Sequence, residues 1–155
     1  MNDSYILGLC EGESSFVISL VKSKCYSKER NNLRARLIFC LTLHQADLEL
    51  LKKFQKFFSC GSIYFAREEA RFVVENIKDL NTKIIPFFDK NILIGKKYRD
   101  YLLWKEAAKI FNTKKHLTLD GIIELEKIRD TMNPHRADRR INRFLKTAID
   151  PGSNP

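Results

Sequence analysis

Two carboxylates, Glu11 and Glu13, lie at the end of a short apolar segment that contains two glycines. Gly8 and Gly12 are four residues apart, so they share one face of a helix, and small residues at this spacing let a second helix approach closely. The chain holds one such segment, and the simplest partner is therefore its copy in a second subunit, related by a two-fold axis. This arrangement would bring Glu13 of each subunit close to the axis.

Carboxylates held close together repel each other unless a cation neutralises them. A hard divalent ion such as Mg²⁺ prefers oxygen ligands and would also bind a phosphate group. There it could polarise the phosphorus atom and help to generate hydroxide. Glu11 precedes Glu13 by two residues and points about 200° away around the helix, so we assign it a structural role at the subunit contact. A buried packing helix that ends in a carboxylate by chance is the alternative interpretation.

The spacing of apolar residues predicts an α+β fold. Strict alternation over 16–21 and 33–43 predicts two strands that pair as an antiparallel hairpin, and residues 63–74 predict a second hairpin that turns at 68–70. Helical spacing predicts helices over 5–13, 48–58, 78–89 and 117–132, with another helix after Gly95. Pro86 implies a kink or an early stop in the helix predicted over 78–89. Helices should cover one face of the sheet.

Composition indicates one globular domain with a polyanionic partner. The chain has 155 residues and 44% hydrophobic content, and we expect the domain to span residues 1–135. Residues 136–155 form a basic tail, expected to be partly helical and then disordered. The 28 Lys and Arg residues against 19 Asp and Glu give a net charge of +9, which favours nucleic acid. No apolar run is long enough to predict a membrane span, and four cysteines without metal-ligand spacing predict reduced thiols in an intracellular protein.

The strand residues that alternate with the apolar ones should face away from the helices. A sheet face that carries Arg, Ser, Thr and Tyr can lie in the DNA major groove, where arginine pairs with guanine. Lysines and arginines near the tip of the first hairpin would reach outer bases or the backbone. The predicted DNA-contacting residues are Ser19, Val21, Lys22, Lys24, Lys28, Arg30, Arg34, Arg36, Thr42, Tyr64 and Arg71.

The apolar segment also resembles a known signature. The run Ile6-Leu7-Gly8-Leu9-Cys10-Glu11-Gly12-Glu13-Ser14-Ser15-Phe16 is similar, position for position, to the motif of the LAGLIDADG homing endonucleases. The departures are Leu7 for alanine, Cys10 for an aliphatic residue, glutamates for both aspartates, and Ser14 for the final glycine. Serine at the helix-to-strand junction is expected to restrict backbone angles that glycine permits, which would affect the catalytic rate more than the fold.

The resemblance covers residues 5–132 and implies the αββαββα fold of this family, an antiparallel, saddle-shaped sheet with helices on one face. It implies an intron-encoded homodimer that cleaves double-stranded DNA at a near-palindromic site with Mg²⁺, for which Mn²⁺ or Ca²⁺ could substitute in binding. The residues it assigns to the metal are Glu13 and Gly12, and those it assigns to the subunit contact are Leu7, Gly8, Glu11 and Gly12.

Two further stretches match the family's habits around its catalytic centre. In His44-Gln45-Ala46-Asp47, Gln45 takes the position of a polar residue that helps to order water near the metals. In Gly95-Lys96-Lys97-Tyr98, a lysine would stabilise transition-state charge or activate the nucleophile. Spacing favours Lys97, with Lys96 as the alternative.

Two other functions remain open at this point. An intron maturase of the same fold would bind RNA, and a non-cleaving, sequence-specific DNA-binding protein such as a repressor could also use it. The acid at Glu13 argues for cleavage. An organelle, chloroplast or mitochondrion, and a microbial cytoplasm are equally compatible locations.

Overall fold

Four strands form one antiparallel sheet in the computed structural model, which describes residues 1–22 and 33–133. They are β1 (Ser14–Lys22), β2 (Leu33–His44), β3 (Ser62–Ala66) and β4 (Glu69–Val74), in the spatial order β1-β2-β4-β3. The long strand β2 therefore pairs with β1 on one side and with β4 on the other. Both predicted hairpins are confirmed.

Six helices accompany this sheet in the part of the chain that is described. They are α1 (Asp3–Glu13), α2 (Leu48–Phe58), α3 (Ile77–Asp79), α4 (Ile85–Lys90), α5 (Lys96–Asn112) and α6 (Leu119–Met132). The first helix begins where the Asn2 side chain accepts a hydrogen bond of 2.8 Å from the Tyr5 amide, a typical helix N-cap. The element order agrees with the predicted αββαββα core, but four α-helices, α3 to α6, follow β4 where that pattern has one.

One hydrophobic core lies between the sheet and the helices. The alternating residues Phe16, Ile18, Leu37, Phe39 and Leu41 are buried, as their two-residue period predicts. The ring of Phe16 lies 5.2–5.5 Å from the rings of Phe39, Phe88, Tyr101 and Trp104. The strand that follows the motif helix is thus fixed at its start by aromatic packing.

Three boundaries differ from the sequence prediction. The second hairpin turns at Arg67 and Glu68, because Arg67 adopts a positive φ of 54° that completes a two-residue turn. The last helix begins at Leu119, since the Thr118 side chain caps it by accepting from the Gly121 amide. The helix predicted over 78–89 is interrupted before Pro86 by a π-helical segment, Leu80–Ile84, and Pro86 lies in the first turn of α4, where its lack of an N–H is tolerated.

Other features predicted from the sequence fall partly outside the described residues. The tip of the first hairpin, with Lys24, Lys28 and Arg30, lies outside the described residues, and so does the basic tail from residue 136. Within the described ranges, no helix has the length and apolar character that a membrane crossing requires.

Candidate active site

Glu13 is the last residue of α1 and lies next to the first residue of β1. Its side chain is exposed, and none of the residues that the structure describes forms a hydrogen bond or ion pair with it. Gly8 and Gly12 are also exposed, and a Cβ atom added to either would meet nothing within 4 Å. The helix therefore presents an open, narrow face that ends in a carboxylate.

Ser14 sits at the junction between α1 and β1 with ordinary extended backbone angles, φ −88° and ψ 161°. The expected restriction by serine is therefore wrong, because no positive φ at this position calls for glycine. The residue is buried, and its Oγ donates a hydrogen bond of 2.6 Å to the Cys10 carbonyl. The same carbonyl also accepts from the Ser14 backbone amide, so the hydroxyl adds a second donor at the end of the helix.

Lys97 reaches this junction from the start of α5. Its ammonium donates a hydrogen bond to the Ser14 carbonyl, a contact between residues 83 positions apart in sequence. Lys96 points elsewhere and forms an exposed ion pair of 2.6 Å with Asp100. Of the two lysines that the sequence left open, Lys97 is therefore the one beside the end of the motif helix.

The buried thiol of Cys10 lies in the same neighbourhood. Burial raises the pKa of Cys10 to about 12, although the charge of Lys97 acts in the opposite direction. The thiol is therefore neutral at physiological pH, and it does not cancel the charge of Lys97. Lys97 therefore lies beside a neutral thiol and contacts the carbonyl of Ser14, the residue after Glu13.

Gln45 follows β2 at the same end of the sheet, because Ser14 pairs with Leu41 four residues before it. Its backbone amide donates to the Glu68 carbonyl at 2.8 Å, and its side-chain amide donates to the Arg67 carbonyl. Gln45 is thus held against the β3–β4 turn, and its side chain is directed to that turn within this chain. A role in ordering water remains a prediction.

Glu11 accepts a hydrogen bond from the Ile94 amide in the same chain. At the other end of α1, Asp3 forms an ion pair of 3.3 Å with Lys90. The segment 90–94 is therefore fastened to both ends of the motif helix and fixes its position. Glu11 has a structural partner within the chain, and its place at a subunit contact stays a prediction, as does that of the half-buried Leu7.

The outer face of the sheet carries the predicted DNA-contacting residues that the structure describes. Strand pairing places Ser19 opposite Arg36 and Val21 opposite Arg34, whereas Arg71 lies between Thr42 and Tyr64. Lys22 ends β1 in the same hairpin. The pairing therefore aligns Ser19, Val21, Arg34 and Arg36, and likewise Thr42, Arg71 and Tyr64, in cross-strand rows on one surface, whereas Lys22 pairs with Leu33 and does not share their period.

Two acids on this surface were missed in the sequence analysis. Glu69 shares the outward period of Arg71 on β4 and pairs with it at 2.5 Å, and Glu75 lies 3.7 Å from the guanidinium of Arg36. The same two-residue alternation that identified Arg71 would have identified Glu69. Among the described residues, no group of three or more His, Cys, Asp or Glu side chains could hold a metal ion. The assignment of Glu13 and Gly12 to a metal therefore stays a prediction.

Comparisons with known proteins agree with this architecture. Residues 6–108 match the family described as LAGLIDADG endonuclease. The chain is 34% identical over 133 residues to "Probable intron-encoded endonuclease 2" of Neurospora crassa, covering 84% of this chain and 27% of that protein. It is 28% identical over 157 residues to "Probable intron-encoded DNA endonuclease 1" of Mycosarcoma maydis, covering 95% of this chain and 56% of that protein.

Solved structures give the same result in three dimensions. I-SmaMI bound to uncleaved DNA target in the presence of calcium ions has a TM-score of 0.79 at 31% identity, covering 86% of this chain and 45% of that chain. I-LtrWI, a LAGLIDADG homing endonuclease bound to target DNA, has a TM-score of 0.79 at 31% identity. That match covers 86% of this chain and 44% of the I-LtrWI chain. The chain thus spans about a quarter of the Neurospora relative and less than half of each solved chain. The motif helix, the four-stranded sheet and a family match over more than half of its length make this chain a member of the LAGLIDADG endonuclease family.

Proposed function

We propose that this chain is a DNA-reading and DNA-cutting unit of an intron-encoded homing endonuclease, in which two such units act together. The observation that carries the proposal is the open Gly8–Gly12 face of α1, which leads to the exposed Glu13 with Lys97 beside the same junction. A carboxylate and a cationic side chain at the end of a helix-pairing face suit metal-assisted cleavage of a phosphodiester.

The second unit is proposed to be a copy of this chain, packed through α1 about a two-fold axis. Two observations support a second unit: nothing among the described residues covers the glycines, and the solved relatives are more than twice the length that this chain matches. Each unit would then read one half of a near-palindromic target.

Mg²⁺ is the proposed cofactor, and the residues present fit it. Glu13 offers an exposed carboxylate without a partner in the described chain, and the backbone at Gly12 is open beside it. When bound, the ion would supply Lewis-acid polarisation of the phosphate and a nucleophilic hydroxide. The structure of I-SmaMI on uncleaved DNA was obtained in the presence of calcium ions, which supports a divalent-ion site of this kind.

The protein's own groups have separate parts in the proposed reaction. Glu13 would hold the metal, and its substitution should remove cleavage while leaving the DNA-facing sheet intact. Lys97 stabilises the charge that develops on the phosphate, since its ammonium is already fixed by the Ser14 carbonyl and needs little reorganisation. Gln45, held by the β3–β4 turn, is the proposed residue for ordering the attacking water.

Double-stranded DNA is the proposed substrate and lies on the outer face of the sheet. Arg34, Arg36, Arg71 and Tyr64 are at least partly exposed there in the rows that β-pairing sets. The names of the relatives favour an endonuclease over the RNA-binding and non-cleaving alternatives. Relatives named for introns in ND4 and cox1 support an organellar location.

A test is cleavage of a randomised double-stranded DNA library with Mg²⁺ by the wild type and by Glu13→Gln. We expect double-strand cuts at a near-palindromic sequence by the wild type, and binding without cutting by the variant. Glu106→Gln, an equally sized charge loss on α5 that breaks only an exposed pair with Lys109, is the matched control. Equal cutting by Glu13→Gln would refute the metal assignment, whereas selective binding without any cutting by the wild type would refute the nuclease.

A further inference from the structure

The outer face of β4 carries one acid, Glu69, beside Arg71 on the surface proposed to meet DNA. Glu69 and Arg71 are two residues apart and point to the same side of the sheet. Acids are unfavourable on a DNA-binding surface, because they repel phosphates. Their presence next to arginines therefore needs an explanation other than affinity.

The geometry of the pair leaves the reading edge of Arg71 free. Its Nε and Nη2 donate to the same Glu69 oxygen, at 3.2 and 2.5 Å. An arginine has five N–H donors in a rigid fork, so the end-on edge formed by Nη1 and Nη2 keeps a pair of parallel donors. That edge matches the O6 and N7 acceptors of guanine.

The pair contributes little to folding. About half of each side chain is exposed, and exposed ion pairs add little to stability because solvent screens them. Its main physical effect is to restrict the rotamers of a long, flexible side chain. A guanidinium held in one orientation loses less conformational freedom when it meets a base.

We infer that Glu69 is a positioning residue for base readout, which holds the guanidinium of Arg71 toward a guanine and away from the phosphates. The inference rests on the proposed function, since it needs the outer sheet face to be the DNA surface. It adds to that function a residue that makes DNA binding depend on base sequence. Thr42 and Tyr64 are the strand neighbours of Arg71, and the side-chain hydrogen bonds of Arg71 in the described chain go to Glu69.

A second arginine on this face has a looser partner. Arg36 and Glu75 are 3.7 Å apart, and the Nε of Arg36 is buried without a hydrogen-bond partner among the described residues. This pair is a charge contact and lacks the two hydrogen bonds that join Arg71 to Glu69. It therefore serves as an internal comparison, for which we expect a weaker influence on base choice.

The experiment measures base preference by selection from randomised duplex DNA, with the full chain in Ca²⁺, followed by titrations on the selected duplex and its single-base variants. Arg71→Ala first identifies the base pair that Arg71 reads. Glu69→Gln should lower discrimination at that base pair at least about fivefold, within the range for losing one good bidentate contact of about 1–3 kcal/mol. Affinity for unrelated duplex DNA should rise, because one repelling charge is gone.

Glu68→Gln is the matched control, since it removes the same charge one residue away. The Glu68 side chain has no hydrogen bond or ion pair among the described residues. Its expected effect is the rise in unrelated-DNA affinity alone, with base preference unchanged. In the Arg71→Ala background, Glu69→Gln should not alter base preference further, which a merely structural role of Glu69 would not produce.

The outcomes separate this inference from the proposed function. A wild type that binds without sequence preference overturns both. A selective wild type whose preference is the same in Glu69→Gln and Glu68→Gln overturns only the role of Glu69. The inference is supported if Glu69→Gln, but not Glu68→Gln, loses base preference, and loses it only at the base pair that Arg71 reads.

Discussion

Replacing Gly8 by alanine should stabilise the folded unit and at the same time weaken its pairing with a second unit. Gly8 lies in the interior of α1, and an added Cβ would meet nothing within 4 Å in the described chain. Within one unit, the substitution therefore changes only helix propensity. Between two units, it places a methyl group where two helix backbones are proposed to touch.

The two effects have opposite signs and separable magnitudes. Alanine in place of an interior helical glycine contributes about 0.5–1 kcal/mol, which raises Tm by about 1–4 °C in a chain of this size. An extra methyl in a close-packed contact costs about 1–3 kcal/mol, and association should therefore weaken by about five- to 150-fold.

Gly121→Ala is the matched control for this reasoning. Gly121 is also helical, but its added Cβ would lie 1.9 Å from the backbone carbonyl oxygen of Lys115. Because a backbone atom cannot move away cheaply, the clash outweighs the gain in propensity. We expect a loss of about 1–3 kcal/mol in the free energy of unfolding.

The measurements are thermal unfolding by circular dichroism at a concentration where units are separate, and sedimentation velocity over a concentration series. The reasoning is refuted if Gly8→Ala lowers the Tm of the separated unit, which would mean that α1 is covered within the chain. It is equally refuted if the variant associates and cuts DNA as the wild type does.

Three further predictions concern the junction between α1 and β1. Lys97→Met should lower DNA cleavage about 100-fold or more, whereas Lys96→Met, which loses only its exposed pair with Asp100, should change the rate by less than about threefold in the same assay. Ser14→Gly, the residue typical of the motif, should reduce the free energy of unfolding in urea titrations by about 1–2 kcal/mol, because the bond to Cys10 is lost; an unchanged midpoint would contradict this. The buried Cys10, with its pKa raised to about 12, holds its proton more tightly when folded, so the free energy of unfolding should fall from about pH 9 to 12; urea titrations of Cys10→Ala over this range should lack that part of the slope, and an equal slope would refute the assignment.

Much of the fold could be predicted because it depends on local periodicity. A strand has a period of two residues, so Phe16, Ile18 and Phe39 had to face one side and Ser19 and Arg36 the other. The end of α1 at Glu13 was equally local, since the helical period stops where alternation begins. Turn and cap positions were less accurate, because the positive φ of Arg67 is a property of the completed hairpin and not of residue type.

The candidate site was predictable only in part. The residue pattern placed Glu13 at the end of a helix-pairing face and narrowed the cationic residue to Lys96 or Lys97. Spacing favoured Lys97 but could not predict its contact, since that contact depends on how α5 is rotated against a residue 83 positions away. Nor did residue type reveal that Ser14 would adopt extended angles and donate to the Cys10 carbonyl, which made the concern about the missing glycine unfounded.

By itself, then, the sequence determined the motif helix, the two faces of the sheet and the sign of the charge, because each depends on residue type and short-range spacing. Tertiary structure alone decided which lysine meets the motif and which acid restrains Arg71. It also decided that the glycines of α1 stay uncovered in the described chain. The physical reason is that side-chain directions and open surfaces follow from the packing of elements distant in sequence, and no local period encodes that packing.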